Sequence, residues 1–355
     1  MRVLVTGACG FVGCSLVESM RQHYDARQME IVGIDNLSRG GVYLNVEKLQ
    51  SLDATFVHGD VRIASDLEQL DRCDWVIDAS ANASVLAGTN GNSSRALVEN
   101  NLGGTLQLLE TCKRWSAGLI LLSTSRVYAL EDLCKLPLRT DASAFQLDAR
   151  QPLPTGASPL GIAESFSNAA PISLYGATKL ASEQMALEYS LAFDFPVWIN
   201  RCGVMAGAGQ FGRADQGIFA FWLHSWLAKR PLRYIGFDGM GHQVRDCLHP
   251  KDLFLLIDMQ IHSPRSASRI VNVSGGIDSA RSLAQLSLWC RDRWGEHIVQ
   301  SDAHPRNYDV PWLVLDSSLA AHSWNWQTTV KIDSVLDEIA MFAEQNPNWL
   351  EVSAG

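Results

Sequence analysis

The sequence predicts an α/β chain: a doubly wound parallel sheet with a smaller C-terminal lobe. Three observations predict it. Short apolar runs alternate with helix-length stretches through the first part of the chain. A glycine-spaced turn, TGACGFVG, joins the first apolar run to the first helical stretch. Beyond about residue 203 the alternation loosens into a patch rich in Gly, Phe and Trp.

The elements follow in order. RVLVT (2–6) reads as a strand, and a helical pattern runs from Phe11 to about His23. EIVGID (30–35), ATFVHGD (54–60) and DWVIDAS (74–80) read as the next three strands. A long helical stretch spans about Ser93 to Trp115, and GLILLST (118–124) is a fifth strand. A helix carrying Tyr175 and Lys179 continues to about Phe193, and PVWINR (196–201) is a sixth strand. Strands that alternate with helices imply crossover connections and parallel pairing. We divide the chain into residues 1–204, a nucleotide-binding domain, and 205–355, mainly a substrate lobe. Residues 246–265, which include HPKDLFLLIDMQIH, are expected to pack back on the first domain. The Pro-, Ala- and Ser-rich segment 130–170 is expected to cover the site, because loops of that length are seldom idle.

Composition narrows the classes. The chain has 355 residues, 47% hydrophobic and 19% charged, which is the balance of a globular protein with a large core. A formal net charge of −9 with no long basic run argues against nucleic acid and anionic membranes as partners. The eight cysteines are scattered and form no CxxC pair, so reduced, buried thiols in a cytoplasmic protein are expected and no metal site is. No secretory leader is read at MRVLVTGACG, and no apolar run is long enough to span a bilayer.

The chemistry-bearing residues come next. In TGACGFVG, Gly7 allows a tight turn and Gly10 lets backbone approach a pyrophosphate. Gly13 lets helix and strand pack closely, and the helix N-terminus faces the anion. This strand–turn–helix makes the sheet Rossmann-type. Asp35 ends the second strand, where a carboxylate accepts hydrogen bonds from the adenosine ribose hydroxyls. A carboxylate there repels a 2′-phosphate, which favours NAD over NADP. Arg39 nearby would suit that phosphate, but Asp35 stands at the ribose itself. Asp60 closes the third strand, where an aspartate can accept from an adenine amino group. Ser123, Thr124 and Ser125 lie at the carboxyl end of the fifth strand, the side on which open parallel sheets bind ligands. Tyr175 and Lys179 stand one helical turn apart and share a face.

Together these residues resemble an extended short-chain dehydrogenase/reductase, and the resemblance spans almost the whole chain. ENNLGGTLQLLE (99–110) is similar to the family's Asn-x-x-Gly-Thr helix, and GHQVRDCLHPKDL (241–253) to its Arg-Asp-x-x-His-x-x-Asp segment. GQFGRADQGIFAFW, INRCGVMAGAGQ, STSRVY and PISLYGATKLASE are similar to the CDP-paratose (CDP-tyvelose) 2-epimerase branch in particular. Two departures stand out: DASANASV ends the fourth strand where many relatives have His-Leu-Ala-Ala, and Ala129 replaces the usual glycine after Val-Tyr.

The resemblance implies an NAD-dependent enzyme acting on a nucleotide sugar, assembled as a homodimer or homotetramer. It implies a cofactor site made from Gly7, Gly10, Phe11, Val12, Asp35, Asn36, Ser38, Arg39, Asp60, Val61, Ala79, Asn101, Tyr175, Lys179 and Cys202. Ser84, Thr124, Gln210, Gln216, Arg245 and Arg306 are its implied substrate contacts, the two arginines because their forked donors suit diphosphate oxygens. Tyr175 would be the base, Lys179 its partner and a hold on the nicotinamide ribose, and Thr124 the group that orients the reacting hydroxyl. Bringing a tyrosine from about 10 to about 7 takes roughly 4 kcal/mol, for which nearby positive charge is the source. Family dehydratases carry Asp-Glu directly after the threonine. Ser125 and Arg126 stand there, which favours an epimerase over a dehydratase. A catalytically silent NAD-binding protein is the alternative from another class, and the retained Tyr175 and Lys179 argue against it.

Overall fold

The computed structural model describes residues 1–89, 91, 93–262 and 268–354. Seven strands form the central sheet: β1 (Arg2–Thr6), β2 (Glu30–Asp35), β3 (Thr55–His58), β4 (Trp75–Asp78), β5 (Gly118–Thr124), β6 (Val197–Cys202) and β7 (Ile270–Val273). Their order is β7-β6-β5-β4-β1-β2-β3, and every pairing is parallel. The doubly wound parallel sheet is therefore the fold. The order reverses at β1 and β4, where Thr6 pairs with Asp78, and a ligand crevice opens at such a switch point.

The middle of the sheet is buried on both faces, so β4 and β5 are buried along their whole length, while the edge strand β3 is partly exposed. Within them the period of two still decides the layer. Val3 and Val5 of β1 join Ile120 and Leu122 of β5 in one layer, against Leu16, Val17 and Met20 of the helix Phe11–His23. Leu4, Leu119 and Leu121 point the other way, against Leu108, Leu109 and Cys112 of the helix Gly104–Trp115. The helix Pro250–His262 packs back on the first layer through Leu253, Phe254 and Ile257. Asp258 on it accepts a 2.5 Å hydrogen bond from Tyr24 Oη. Positions 263–265 of the expected 246–265 unit lie outside the described residues.

β7 has no counterpart among the strands read from the sequence. It brings the chain back from the C-terminal lobe to the sheet edge, where Val273 pairs with Cys202. The stretch expected as one helix from Ser93 to Trp115 is helix Ser94–Val98, a π-helical turn Glu99–Gly103, and helix Gly104–Trp115.

The smaller lobe packs the helices Ile218–Leu227, Leu283–Trp294 and Ile332–Gln345 around Phe219, Trp222, Leu223, Leu286, Leu336 and Ile339. Segment 130–170 is built of short elements rather than one loop. It holds the helix Leu130–Cys134 and the hairpin Leu138–Asp141/Ala144–Leu147. Its Leu133, Leu136, Ala144, Ile162 and Phe166 are buried against Val310, Trp312 and Leu313. Apolar burial draws the segment into the lobe's own core. None of the residues that line the cleft comes from it.

Beneath the carboxyl end of β5 lies a charged network. Glu183 is fully buried and accepts from Arg201 Nη2 at 2.6 Å, from Arg201 Nε at 3.0 Å and from Ser123 Oγ at 2.5 Å. Arg201 Nη1 also donates to Tyr128 Oη at 3.4 Å, and Tyr128 Oη donates to Asn272 Oδ1 at 2.6 Å. The network ties β5, β6, β7 and the Tyr175 helix together.

Candidate active site

A cleft of about 420 Å³ runs along the carboxyl ends of β1, β2, β4, β5 and β6 and continues into the smaller lobe. That volume lies within the range of small-molecule sites. At one end the glycine turn forms a cradle. Gly7 has a φ of +59°, and a Cβ on it would stand 2.9 Å from Ala79 O. A Cβ on Gly13 would stand 2.2 Å from Gly7 O. Gly10 is the N-cap of Phe11–His23 and offers no side-chain cap, so the first-turn N–H groups face a ligand site. Gly7, Gly10, Phe11 and Val12 all line it. We expect Gly13→Ala to lose bound dinucleotide and to melt lower, because backbone must move. Gly103→Ala should do neither, since its Cβ meets only Val98 O at 3.9 Å. Nucleotide released on denaturation and a melting curve check both.

Asp35 closes β2 beside this cradle. Its carboxylate accepts from Cys9 N at 3.0 Å and from Leu37 N at 2.8 Å. Burial pushes its carboxyl above the ordinary range, and the backbone donors oppose that. Asn36, Ser38, Val61 and Ala79 line the same end. Asp60 does not. Its carboxylate is taken by Arg62, with Nη2 at 2.6 Å, and by Asn36 Nδ2 at 3.0 Å. Arg62 holds it down, at about 2.

Asn101 is also off the cleft wall. It is buried, donates to Asn82 O at 3.2 Å and to Thr178 Oγ1 at 3.1 Å, and accepts from Asn82 N at 2.8 Å. It clamps the Tyr175 helix to the loop after β4, and Asn100 lines the cleft instead. The π turn supplies the reason: its wider ring changes which residues face the sheet.

At the centre stand Thr124 and Tyr175. Ser173 caps the helix Leu174–Phe193 by accepting from Gly176 N at 3.1 Å, which fixes the first turn that carries Tyr175. Thr124 Oγ1 caps the following turn by accepting from Arg126 N at 3.2 Å. Burial pushes the Tyr175 hydroxyl up to about 12, while the neighbouring Thr124 hydroxyl and the charge of Arg126 pull it down. Lys179 is fully buried one turn further on, below the cleft wall. Burial lowers its ammonium, and Asp78 and Glu183 oppose that. Asp78 is buried and accepts from Thr6 Oγ1 at 2.8 Å and from Ser80 Oγ at 2.7 Å. Cys202 closes this end of the wall as a buried thiol.

The far end is arginine-rich. Arg126, Arg245, Arg281 and Arg306 line it, with Asp215 and Asp309 as the facing carboxylates. Arg245 is held by Asp309 Oδ1 at 2.6 Å and Val310 O at 2.7 Å. The segment 210–217 crosses the cleft as a strap. Gln216 Oε1 accepts from Arg39 at 2.7 Å, Asp215 from Ser84 Oγ at 2.6 Å, and Ala214 O from Arg306 at 3.2 Å. Gln210 lines the cleft, and its Oε1 is buried without a hydrogen bond from the described residues. Ser84 itself stands behind Ala83 and Val85. Sequence reasoning missed Asn100, Gln243 and Arg281 as lining residues.

Fold and cleft define a dinucleotide-dependent enzyme of the Rossmann type. The chain belongs to the NAD dependent epimerase/dehydratase family, whose model matches residues 3–274, and the glycine cradle with Asp35 fits NAD as its cofactor. It is 27% identical to CDP-paratose 2-epimerase of Salmonella typhi over 93% of this chain and 95% of that protein. It is 24% identical to dTDP-glucose 4,6-dehydratase of Salmonella typhimurium over 99% of this chain and 94% of that protein. Among solved structures, the NAD complex of Thermus thermophilus UDP-glucose 4-epimerase matches with a TM-score of 0.73 and 25% identity, over 96% of this chain and 99% of that one.

Proposed function

We propose that this enzyme is a nucleotide-sugar epimerase of the CDP-paratose 2-epimerase kind, inverting C2 of the sugar. The observation that carries the reading is the cleft itself: Thr124 and Tyr175 stand between a dinucleotide cradle and an arginine-rich end. A carbon bearing only a hydroxyl has no acidic C–H, so its inversion requires transient oxidation. Bound NAD supplies the hydride acceptor and then the donor, and ends unchanged.

The chain's own residues do the rest. Tyr175 takes the proton from the sugar hydroxyl and returns it. Thr124, which lines the cleft with Tyr175, orients that hydroxyl. Lys179 supports the phenolate from within the same helix face. Arg245 and Arg306 hold the diphosphate, with Gln210 and Gln216 on the nucleotide side. Ser125 and Arg126 follow Thr124 where an eliminating enzyme needs an acid/base pair, and neither supplies a carboxyl.

The test is a screen of CDP-, UDP-, GDP- and dTDP-sugars with the products read by NMR. Inversion at C2 of a CDP-deoxysugar supports the reading, and a 4-epimer or a 4-keto-6-deoxy product replaces it. A redox-neutral cycle also predicts that the purified protein carries NAD(H). Asp35→Ala should lower that content severalfold, and release of NADP from the wild type would contradict the role given to Asp35.

A further inference from the structure

Arg126 follows Thr124 by two residues, on the turn Ser125–Val127 that ends β5. Its backbone N–H donates to Thr124 Oγ1 at 3.2 Å, and its carbonyl abuts the Tyr175 helix. A Cβ on Gly176 would stand 2.3 Å from that carbonyl, so only glycine lets the two turns meet. The guanidinium is half-buried and lines the cleft together with Tyr175. Its one hydrogen bond among the described residues is from Nη2 to Tyr308 O at 3.1 Å. No carboxylate among them forms an ion pair with it. Tyr308 holds a φ of +59°, a left-handed backbone uncommon for a non-glycine residue. The nearest carboxylate, Asp309, is already taken by Arg245 at 2.6 Å. Around Arg126 itself, Arg245 and Arg306 thus gather with Asp309 as the one carboxylate, and burial with that crowding pulls the Arg126 guanidinium down.

A cation drawn partly out of water without a carboxylate is costly unless a negative charge forms beside it. The sequence places an incipient anion there, the Tyr175 hydroxyl. We propose that Arg126 is a positioning residue that stabilises the Tyr175 phenolate from the substrate side, opposite Lys179. The proposal rests on Tyr175 being the base and deepens that reading. The groups that act on Tyr175 are Thr124 at the end of β5, Arg126 on the turn after it and Cys202 at the end of β6, with Lys179 buried one turn further along its own helix. Those that face Arg126 are Arg245, Arg306 and Asp309. Thr124 and Cys202 carry no cationic charge, so Arg126 is the cation that the cleft side contributes.

The test needs no substrate. Tyrosinate absorbance near 295 nm is titrated on NAD-loaded enzyme, and the Tyr175→Phe trace is subtracted to isolate Tyr175. Arg126→Met should move that midpoint up by about one pH unit or more, as an opposite charge at close range does. Arg126→Lys should restore it, because it returns the charge without the fork. Arg126→Gln, which can still donate to Tyr308 O, separates charge from the loop contact and should behave as Met does. An unchanged midpoint in Met or Gln, at wild-type NAD content and melting temperature, overturns the proposal. So does a midpoint that Lys fails to restore. Full turnover in Tyr175→Phe would instead overturn the base assignment, whatever the titration gives.

Discussion

Tyr175→Phe should retain NAD and lose turnover by roughly 10²-fold or more, the scale of a removed general base. The substitution keeps the ring in its buried seat and deletes only the hydroxyl on the cleft wall. Packing is preserved, so the melting temperature should hardly move. Burial holds the hydroxyl proton tightly in the absence of other charge. The active form, the phenolate, is therefore favoured as pH rises, and turnover should climb with pH on its acid limb. Lys179→Ala differs in kind: it should lower both NAD content and turnover. Unimpaired turnover in Tyr175→Phe, measured on the substrate that the nucleotide-sugar screen identifies, would remove this tyrosine from the mechanism.

The second large effect is on stability. Arg201→Met should destabilise the fold by about 3–5 kcal/mol, since it strands the buried Glu183 carboxylate. Glu183 has no exposure and would keep only Ser123 Oγ as a donor of those it has now. The double replacement Glu183→Leu with Arg201→Met should recover much of that loss, because an apolar pair needs no desolvated charge. Chemical denaturation of the three variants decides. If the single Arg201→Met variant is as stable as the wild type, the pair does not hold β5 and β6 as described.

Much of this was legible in the sequence because it is local. TGACGFVG dictates a turn and a helix start by itself, and EIVGID ends on its aspartate in the expected place. Tyr175 and Lys179 need only one helix to come together. What escaped depends on distant partners or on subtle local geometry. IVNV is four residues long and interrupted by Asn272, too short an apolar run to mark it as β7 even with Ser274-Gly275-Gly276 after it. The π turn at Glu99–Gly103 moved the cleft-facing role from Asn101 to Asn100, and no periodicity announces one residue of extra width. The polar look of 130–170 hid five apolar residues spaced for a hairpin and short turns, whose partners lie near position 312. Asp60 follows β3 by two residues, and Arg62 two residues further on competes for its carboxylate. Arg126 was visible as a departure from an eliminating enzyme. Its company of Arg245 and Arg306 was not, since those residues are more than a hundred positions away.

The central claim is transient oxidation at the carbon that is inverted, and isotope exchange tests it directly. An epimerase that works by proton abstraction draws hydrogen from solvent. One that works by oxidation and reduction returns the hydrogen it removed. Turnover of the substrate in D2O should therefore give a product with no deuterium at C2. Substrate deuterated at C2 should keep its label in the inverted product, as read by NMR or mass spectrometry. Stoichiometric solvent deuterium at C2 would contradict the account.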